Sequence, residues 1–246
     1  MSLQSQLTRM AHNVGTLNAD TNAIFEALRA KGVDVPANAR LSDVADMIET
    51  IELNQTYVTI GGRQYKTVTI GNQEWLAENL DYKFDVNGSQ IPIGVNGDPT
   101  TSAAWYYNND EATYGVNGNK YGLLYNWYAV KYLEDNKATM LPNGWHVPTL
   151  SEFSNLITIV DDSSIKVKST TGWSTVNGDG STGFSAYPAG TRVNSNFYEL
   201  GTDAYFWSST MYNSTSSYYF HVGFTLYTRN YNYVGGYSLR LVKDLT

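Results

Sequence analysis

The apolar residues of this chain change period once, near residue 55, and that change constrains the fold more than any other feature. Before it, Leu3, Leu7, Met10, Val14 and Leu17 follow spacings of four and three, and after polar Thr21 the series resumes at Ile24 and Leu28. Such spacing marks one stripe of a helix. Gly15 and Thr21 weaken the seam, so a lone amphipathic helix and a short self-associating heptad stripe are equal readings. Lys31-Gly32, a cation followed by a C-cap glycine, predicts the end of that helix, with Pro36 shortly beyond. A second short helix is expected after Ser42 as its N-cap, with Val44, Met47, Ile48 and Ile51 on one face.

From Gln55 the period becomes two. TYVTIGGRQYKTVTIGNQEWL (56–76) alternates β-branched or aromatic with polar residues around Gly61-Gly62, which predicts a hairpin. Residues 84–120 are rich in Asn, Gly, Asp and Pro and are expected as long surface loops with little regular structure. YGLLYNWYAVKYLED (121–135) has Leu124, Trp127, Tyr128 and Tyr132 at helical spacing, although its aromatics suit a strand equally. WHVPTLSEFSNLITIV (145–160) is better marked: Thr149 and Glu152 form a capping box after Pro148, and Leu150, Phe153, Leu156 and Ile157 supply a buried face. Beyond Gly172, short strands and loops close with YSLRLV (237–242). The organisation expected is a helical segment over 1–54 and one α+β domain over 55–246.

Several chemistries are disfavoured. The chain has no cysteine, which removes disulfides, thiolate metal sites and thiol nucleophiles. A net charge of −7 disfavours phosphate tracking on nucleic acid and leaves no basic patch for anionic lipid. The first residues lack a secretory pattern, and no stretch approaches the roughly 18 apolar residues of a membrane span, so a chain made in the cytoplasm is expected. His12, His146 and His221 share no metal-ligand spacing, and His146, following Trp145, is read as structural. The pairs Asp110-Glu111 and Asp161-Asp162 are read as solvated. GVNGDP (94–99) and VNGDGSTG (176–183) lack a phosphate-loop ending and are read as turns. No catalytic residue, metal or cofactor is expected.

One segment stands apart. Residues 205–237 contain eight Tyr, five Ser, four Thr and three Asn, and no Asp, Glu, Lys or Gln. This is paratope composition: Tyr gives amphipathic contact area at little rotamer entropy, and the small polar residues add adaptable hydrogen bonds.

The blocks GGRQYKTVTIGNQEWLAENLDY (61–82), YGLLYNWYAV (121–130), LPNGWHVPTLSEFSNL (141–156), TGFSAYPAG (182–190), FWSST (206–210) and GYSLRLVKD (236–244) resemble, in order, the Fibrobacter succinogenes major paralogous (FISUMP) domain. That resemblance implies a C-type-lectin-like fold with short twisted antiparallel sheets, two helices and long loops. It also implies Trp145 as a core aromatic, Trp207, Ser208 and Ser209 as framework, and a closing strand Leu239–Val242 that brings the domain's ends together. The calcium-ligand motifs of sugar-binding C-type lectins are absent, as is the cysteine of the related sulfatase-activating enzymes. The broader fold includes the variable proteins of diversity-generating retroelements, in which adenine-bearing codons near the C-terminus are mutated. Randomising the adenines of an Asn codon never yields Lys, Glu, Gln, Met or Trp, and within 205–237 only Trp207 and Met211 depart from that exclusion.

On this resemblance the expected contact residues are Tyr212, Asn213, Ser216, Tyr218, Tyr219, His221, Tyr227, Arg229, Tyr231, Asn232 and Tyr233. Period-two alternation cannot put all of them on one face, so some belong to the core. Residues 227–233 are expected as a solvent-facing loop, with Phe220, Val222, Phe224 and Leu226 among the inward set. KGVDVPANARLSDVADMIETI (31–51) resembles a segment of phage tail-associated proteins. The expected role is a non-enzymatic binder of a protein or glycan on a target cell surface, displayed on a virion or phage tail and possessing a homo-oligomerising segment in 1–54. A fixed structural or glycan-binding domain of a bacterial cell surface is the alternative.

Overall fold

The computed structural model describes residues 19–26, 28–29, 35–44, 56–114 and 120–245. The chain divides into two compact units, Met1–Gln55 and Thr56–Thr246. In the first, residues 19–26 and 28–29 are helical, and Phe25, Leu28 and Val35 cluster with Ala39 and Val44. Ile24, expected inside, is 38% exposed, because the inward face is formed by Phe25 and Leu28, one turn apart. Nor is Ser42 an N-cap. Leu41–Asp43 is a 3-10 turn capped by Arg40, whose backbone N–H donates to Asp43 Oδ2 at 2.8 Å, and it is followed by helical Val44. Ser42 Oγ donates to the same carboxylate at 2.9 Å. The stripe from Leu3 to Leu17, the stop at Lys31-Gly32, and Met47, Ile48 and Ile51 lie outside the described residues.

The second unit is built on short antiparallel strands. In chain order they are β1 (Thr56–Ile60), β2 (Arg63–Ile70), β3 (Gln73–Leu76), β4 (Asp85–Val86), β5 (Ser89–Gln90), β6 (Ala104–Trp105), β7 (Leu124–Tyr125), β8 (Trp145–His146), β9 (Thr191–Val193), β10 (Asn196–Tyr198), β11 (Ala204–Met211), β12 (Ser216–Val222), β13 (Leu226–Asn232) and β14 (Val242–Asp244). The hairpin β1–β2 turns where expected, at Gly61 and Gly62, whose φ values are +57° and +83°. Glycine is required there on two counts: positive φ at both positions suits a two-residue hairpin turn, and a Cβ on Gly61 would come within 2.3 Å of the Tyr82 ring.

The main sheet has the order β1-β2-β3-β14-β8. The last strand thus sits between an early and a middle one, with Val242 opposite both Trp75 and His146. Leu245 N–H donates to Asn72 O at 2.9 Å, so the end of the domain closes on its beginning. A separate three-stranded sheet has the order β11-β12-β13, and β4–β5, β6–β7 and β9–β10 are two-stranded ribbons.

Two helices dominate, α1 (Trp127–Asp135) and α2 (Leu150–Ile159), beside the one-turn helices Glu111–Tyr114, Lys137–Met140 and Ser164–Val167. The capping box forms as read: Thr149 Oγ1 accepts from Glu152 N–H, and Glu152 Oε2 accepts from Thr149 N–H at 2.6 Å. Helix α1 begins later than the periodicity predicted, because Leu124 and Tyr125 pair with Trp105 and Ala104 as a strand. Asn126 makes the switch. Its buried Oδ1 accepts from Ala129 N–H and Ala103 N–H, and its Nδ2 donates to Thr101 O at 2.7 Å.

That contact also explains why 84–120 is not simply surface loop. Ile91, Ala103, Ala104, Trp105 and Tyr106 are buried. Trp105 donates through Nε1 to Val95 O at 2.8 Å and lies under the Arg192 guanidinium, 4.0 Å from its ring centre. Arg192 also grips the 94–99 turn through Asp98 at 3.0 Å. A polar composition concealed a few strong anchors.

Two apolar clusters fill the unit. One includes Tyr65, Leu76, Trp127, Trp145, Trp207, Tyr237 and Leu239. The other includes Trp75, Phe153, Phe184, Phe206, Phe220 and Val242. Arg240 crosses the core fully buried without a carboxylate: its guanidinium donates to Asn79 Oδ1 at 3.0 Å, Phe184 O at 2.7 Å and Ser185 O at 2.7 Å. Burial brings its pKa down to about 9, and the satisfied donors are what make a buried cation tolerable.

Candidate functional site

The β11-β12-β13 sheet carries most of the candidate residues, and its register sorts them. On one face Phe206, Phe220 and Thr228 lie abreast, as do Ala204, Val222 and Leu226. Phe220 stacks on Phe153 of α2 with ring centres 5.0 Å apart. This face is dry core, which accounts for Phe220, Val222 and Leu226 as expected.

On the opposite face Tyr205, His221 and Tyr227 lie abreast, and Trp207, Tyr219 and Arg229 form the next row, with Tyr231 opposite Ser217. Tyr237 packs against this face, 5.1 Å from Tyr205, 4.9 Å from Tyr219 and 5.9 Å from Tyr231 between ring centres. His221 stacks on Tyr227 at 4.2 Å, and Arg229 lies 5.1 Å from the same ring. The result has two levels. Trp207, Tyr219, His221 and Tyr237 are a buried floor, while Tyr205, Tyr227 and Tyr231 are half-buried and Arg229 is exposed.

Two acidic residues tie this face down. Tyr205 Oη donates to Glu199 Oε2 at 2.7 Å, and His221 Nε2 lies 2.7 Å from Asp203 Oδ1. Because a carboxylate only accepts, that nitrogen carries the proton. Burial holds the His221 pKa below its ordinary value against the pull of Asp203, so the ring is neutral at pH 7. Burial likewise pushes the Tyr219 phenol up to about 12, and raises those of Tyr227 and Tyr231. All three phenols are therefore uncharged donors and acceptors at neutral pH.

The remaining candidates lie elsewhere. Tyr212 and Asn213 are exposed in the β11–β12 turn, where Asn213 Oδ1 accepts from Thr215 N–H at 2.9 Å. Tyr212 meets Tyr218 edge to face at 5.5 Å. Ser216 and Tyr218, half-buried, alternate with Phe220 on the α2-facing side of β12, and exposed Asn232 pairs with Ser216.

Several expectations need correction. Tyr219, His221 and Tyr233 are 8%, 5% and 6% exposed, so they are core rather than contact residues. Tyr233 stacks on Trp127 at 4.3 Å and satisfies its hydroxyl on Asn213 O at 2.7 Å, which is why a tyrosine is stable there. Residues 227–233 are not a loop: Tyr227 to Asn232 belong to edge strand β13, held by the full register with β12. Phe224 is not inward. It occupies the β12–β13 turn, and its ring is 98% exposed. Sequence reasoning passed over Tyr205, Tyr237, Glu199 and Asp203, although the first two lie within the tyrosine-rich segment itself.

Among the described residues no group of three or more His, Asp or Glu side chains is placed to hold a metal. His146 donates through Nε2 to Glu152 Oε1 at 2.8 Å, and Gln73 Nε2 donates to the same oxygen at 2.9 Å. The Glu152 hydrogen bond raises the His146 pKa above its ordinary value, and the pair ties α2 to the main sheet. No described helix is long and apolar enough to cross a membrane.

Fold and face together define a mixed α and β domain of short antiparallel sheets, closed end to end and carrying a tyrosine face over an aromatic floor. Within that class the chain belongs to the Fibrobacter succinogenes major domain family, whose sequence model matches residues 68–243. The match runs from inside β2 to β14, so the Met1–Gln55 unit lies outside it. No curated protein and no solved structure matches the chain.

Proposed function

We propose that the Thr56–Thr246 unit is a non-enzymatic recognition domain of C-type-lectin-like architecture, binding a protein or glycan on a target cell surface through the tyrosine face of β11–β13. In this reading it is the variable protein of a diversity-generating retroelement, carried on a virion or phage tail by its N-terminal helical segment, which also self-associates. The supporting observation is the alternation of Tyr227, Arg229 and Tyr231 along an edge strand, above rings already packed in place. A ligand meeting such a surface has little side-chain freedom left to immobilise, which favours affinity. Large amphipathic rings and an arginine are also the side chains that most often dominate recognition energy.

A fixed glycan-binding or structural domain of a bacterial cell surface is the second reading. The observation favouring it is that Tyr219, Tyr233 and Tyr237 are buried, so part of the tyrosine excess serves packing. Sequencing the 3′ coding segment across a population of the source distinguishes the two. Diversification predicts substitutions at adenine-bearing codons of Tyr212, Asn213, Tyr218, Tyr227, Arg229, Tyr231 and Asn232, with Trp207, Phe220 and Tyr237 constant. No variation above background contradicts it and leaves the fixed surface.

A further inference from the structure

A cavity of ≈ 300 Å³ opens beside the β12–β13 turn, apart from the rings of the tyrosine face. Its apolar wall is Ile165, Val176 and Phe224, respectively 42%, 60% and 98% exposed. Single exposed apolar residues need no explanation, but three converging on one concavity mark a surface that something else covers. The wall is also built rather than loose. Ser164 Oγ donates to Phe224 O at 3.2 Å, tying the turn to the one-turn helix Ser164–Val167, and both segments line the cavity.

Lys168 supplies the polar contact. The residue lines the cavity yet is only 4% exposed, and its Nζ lies 4.2 Å from the Trp173 ring centre. Among the described residues this ammonium makes no ion pair and no side-chain hydrogen bond. An indole face offsets part of the cost of burying a cation, and an anion would offset more. Asp203 also borders the cavity: its negative charge acts on Lys168 without forming an ion pair, and its Oδ1 is taken by His221.

We propose that this cavity binds a small carboxylate bearing an apolar tail, with the carboxylate on Lys168 Nζ and the tail among Ile165, Val176 and Phe224. The volume is at the lower end of small-molecule sites, and an apolar wall with a few polar groups that fix orientation is the usual recipe for them. The site is independent of ligand capture by the tyrosine face.

The test is calorimetric titration of the full chain with 4-phenylbutyrate and with its neutral analogue 4-phenylbutyramide. The acid is expected to bind saturably at one site, at least about tenfold more tightly than the amide. Lys168→Met should abolish that preference, and Phe224→Ser, on a fully exposed turn, should weaken both compounds while leaving the melting temperature unchanged. Equal affinity for acid and amide, absence of saturable acid binding in the millimolar range, or full affinity in Phe224→Ser overturns the proposal. Because Phe224→Ser does not disturb the core, the test stands even if Lys168→Met fails to fold.

Discussion

The two faces of the β11-β12-β13 sheet share three strands yet are built on different principles. One presents Phe206, Phe220, Val222 and Leu226 to α2 and excludes water. The other presents Tyr205, Tyr219, His221, Tyr227 and Tyr231 around Tyr237, and its outer rings remain in reach of solvent. The difference teaches what a hydroxyl on a ring does at an interface. Its body packs as phenylalanine would, while its tip keeps a donor and an acceptor for a partner.

The comparison breaks most visibly at Phe220. Replacing it with Ala should cost about 3–5 kcal/mol, as for a fully buried phenylalanine, read as a drop in melting temperature; a loss near zero would mean that the α2-facing side is not a packed core. Truncating Tyr227 and Tyr231 together to Ala should instead leave most stability in place but cost at least about 2 kcal/mol in ligand binding, measured against cells or glycans the unmodified chain captures. Unaltered capture with a large melting loss would make both faces structural. Tyr233→Phe sharpens the same boundary: it removes only the bond to Asn213 O and should cost about 1 kcal/mol.

His221 and His146 offer a pH version of the contrast. His221 has a folded pKa below its ordinary 6.5, so the unfolded chain takes up its proton first. Its contribution to stability is therefore complete above that value and is lost as pH falls below it. His146 is raised above 6.5 by Glu152, so its contribution is complete below that value and is lost as pH rises through the raised pKa. Melting curves across this range should show His221→Gln reducing acid sensitivity and His146→Gln reducing alkaline sensitivity. The same slope in both variants would contradict the assignment. Smallest of all, exposed Arg229→Ala should move stability by no more than about 0.5 kcal/mol.

Local signals were legible in the sequence. The α2 capping box needs only Thr149 and Glu152, and the β1–β2 turn needs only Gly61 and Gly62, so neighbouring residues suffice to specify them. Distant pairing was not legible. Tyr227 to Asn232 alternate polar with polar and offer no apolar side to read; only the register with β12 makes them a strand. Phe224 was assigned by residue type, but a residue in the turn between β12 and β13 has no core to face. Tyrosine itself is ambiguous, since Tyr233 and Tyr227 differ chiefly in whether Trp127 or solvent lies beyond the ring.

Hydroxyl-radical footprinting of the intact chain, read residue by residue by mass spectrometry, tests the two-level arrangement most directly. Tyr212 should label fastest, Tyr218, Tyr227 and Tyr231 at intermediate rates, and Tyr219, Tyr233 and Tyr237 should be protected. Protection of Tyr227 and Tyr231 to the level of Tyr237 would contradict the account, because no tyrosine face would then be open to a partner.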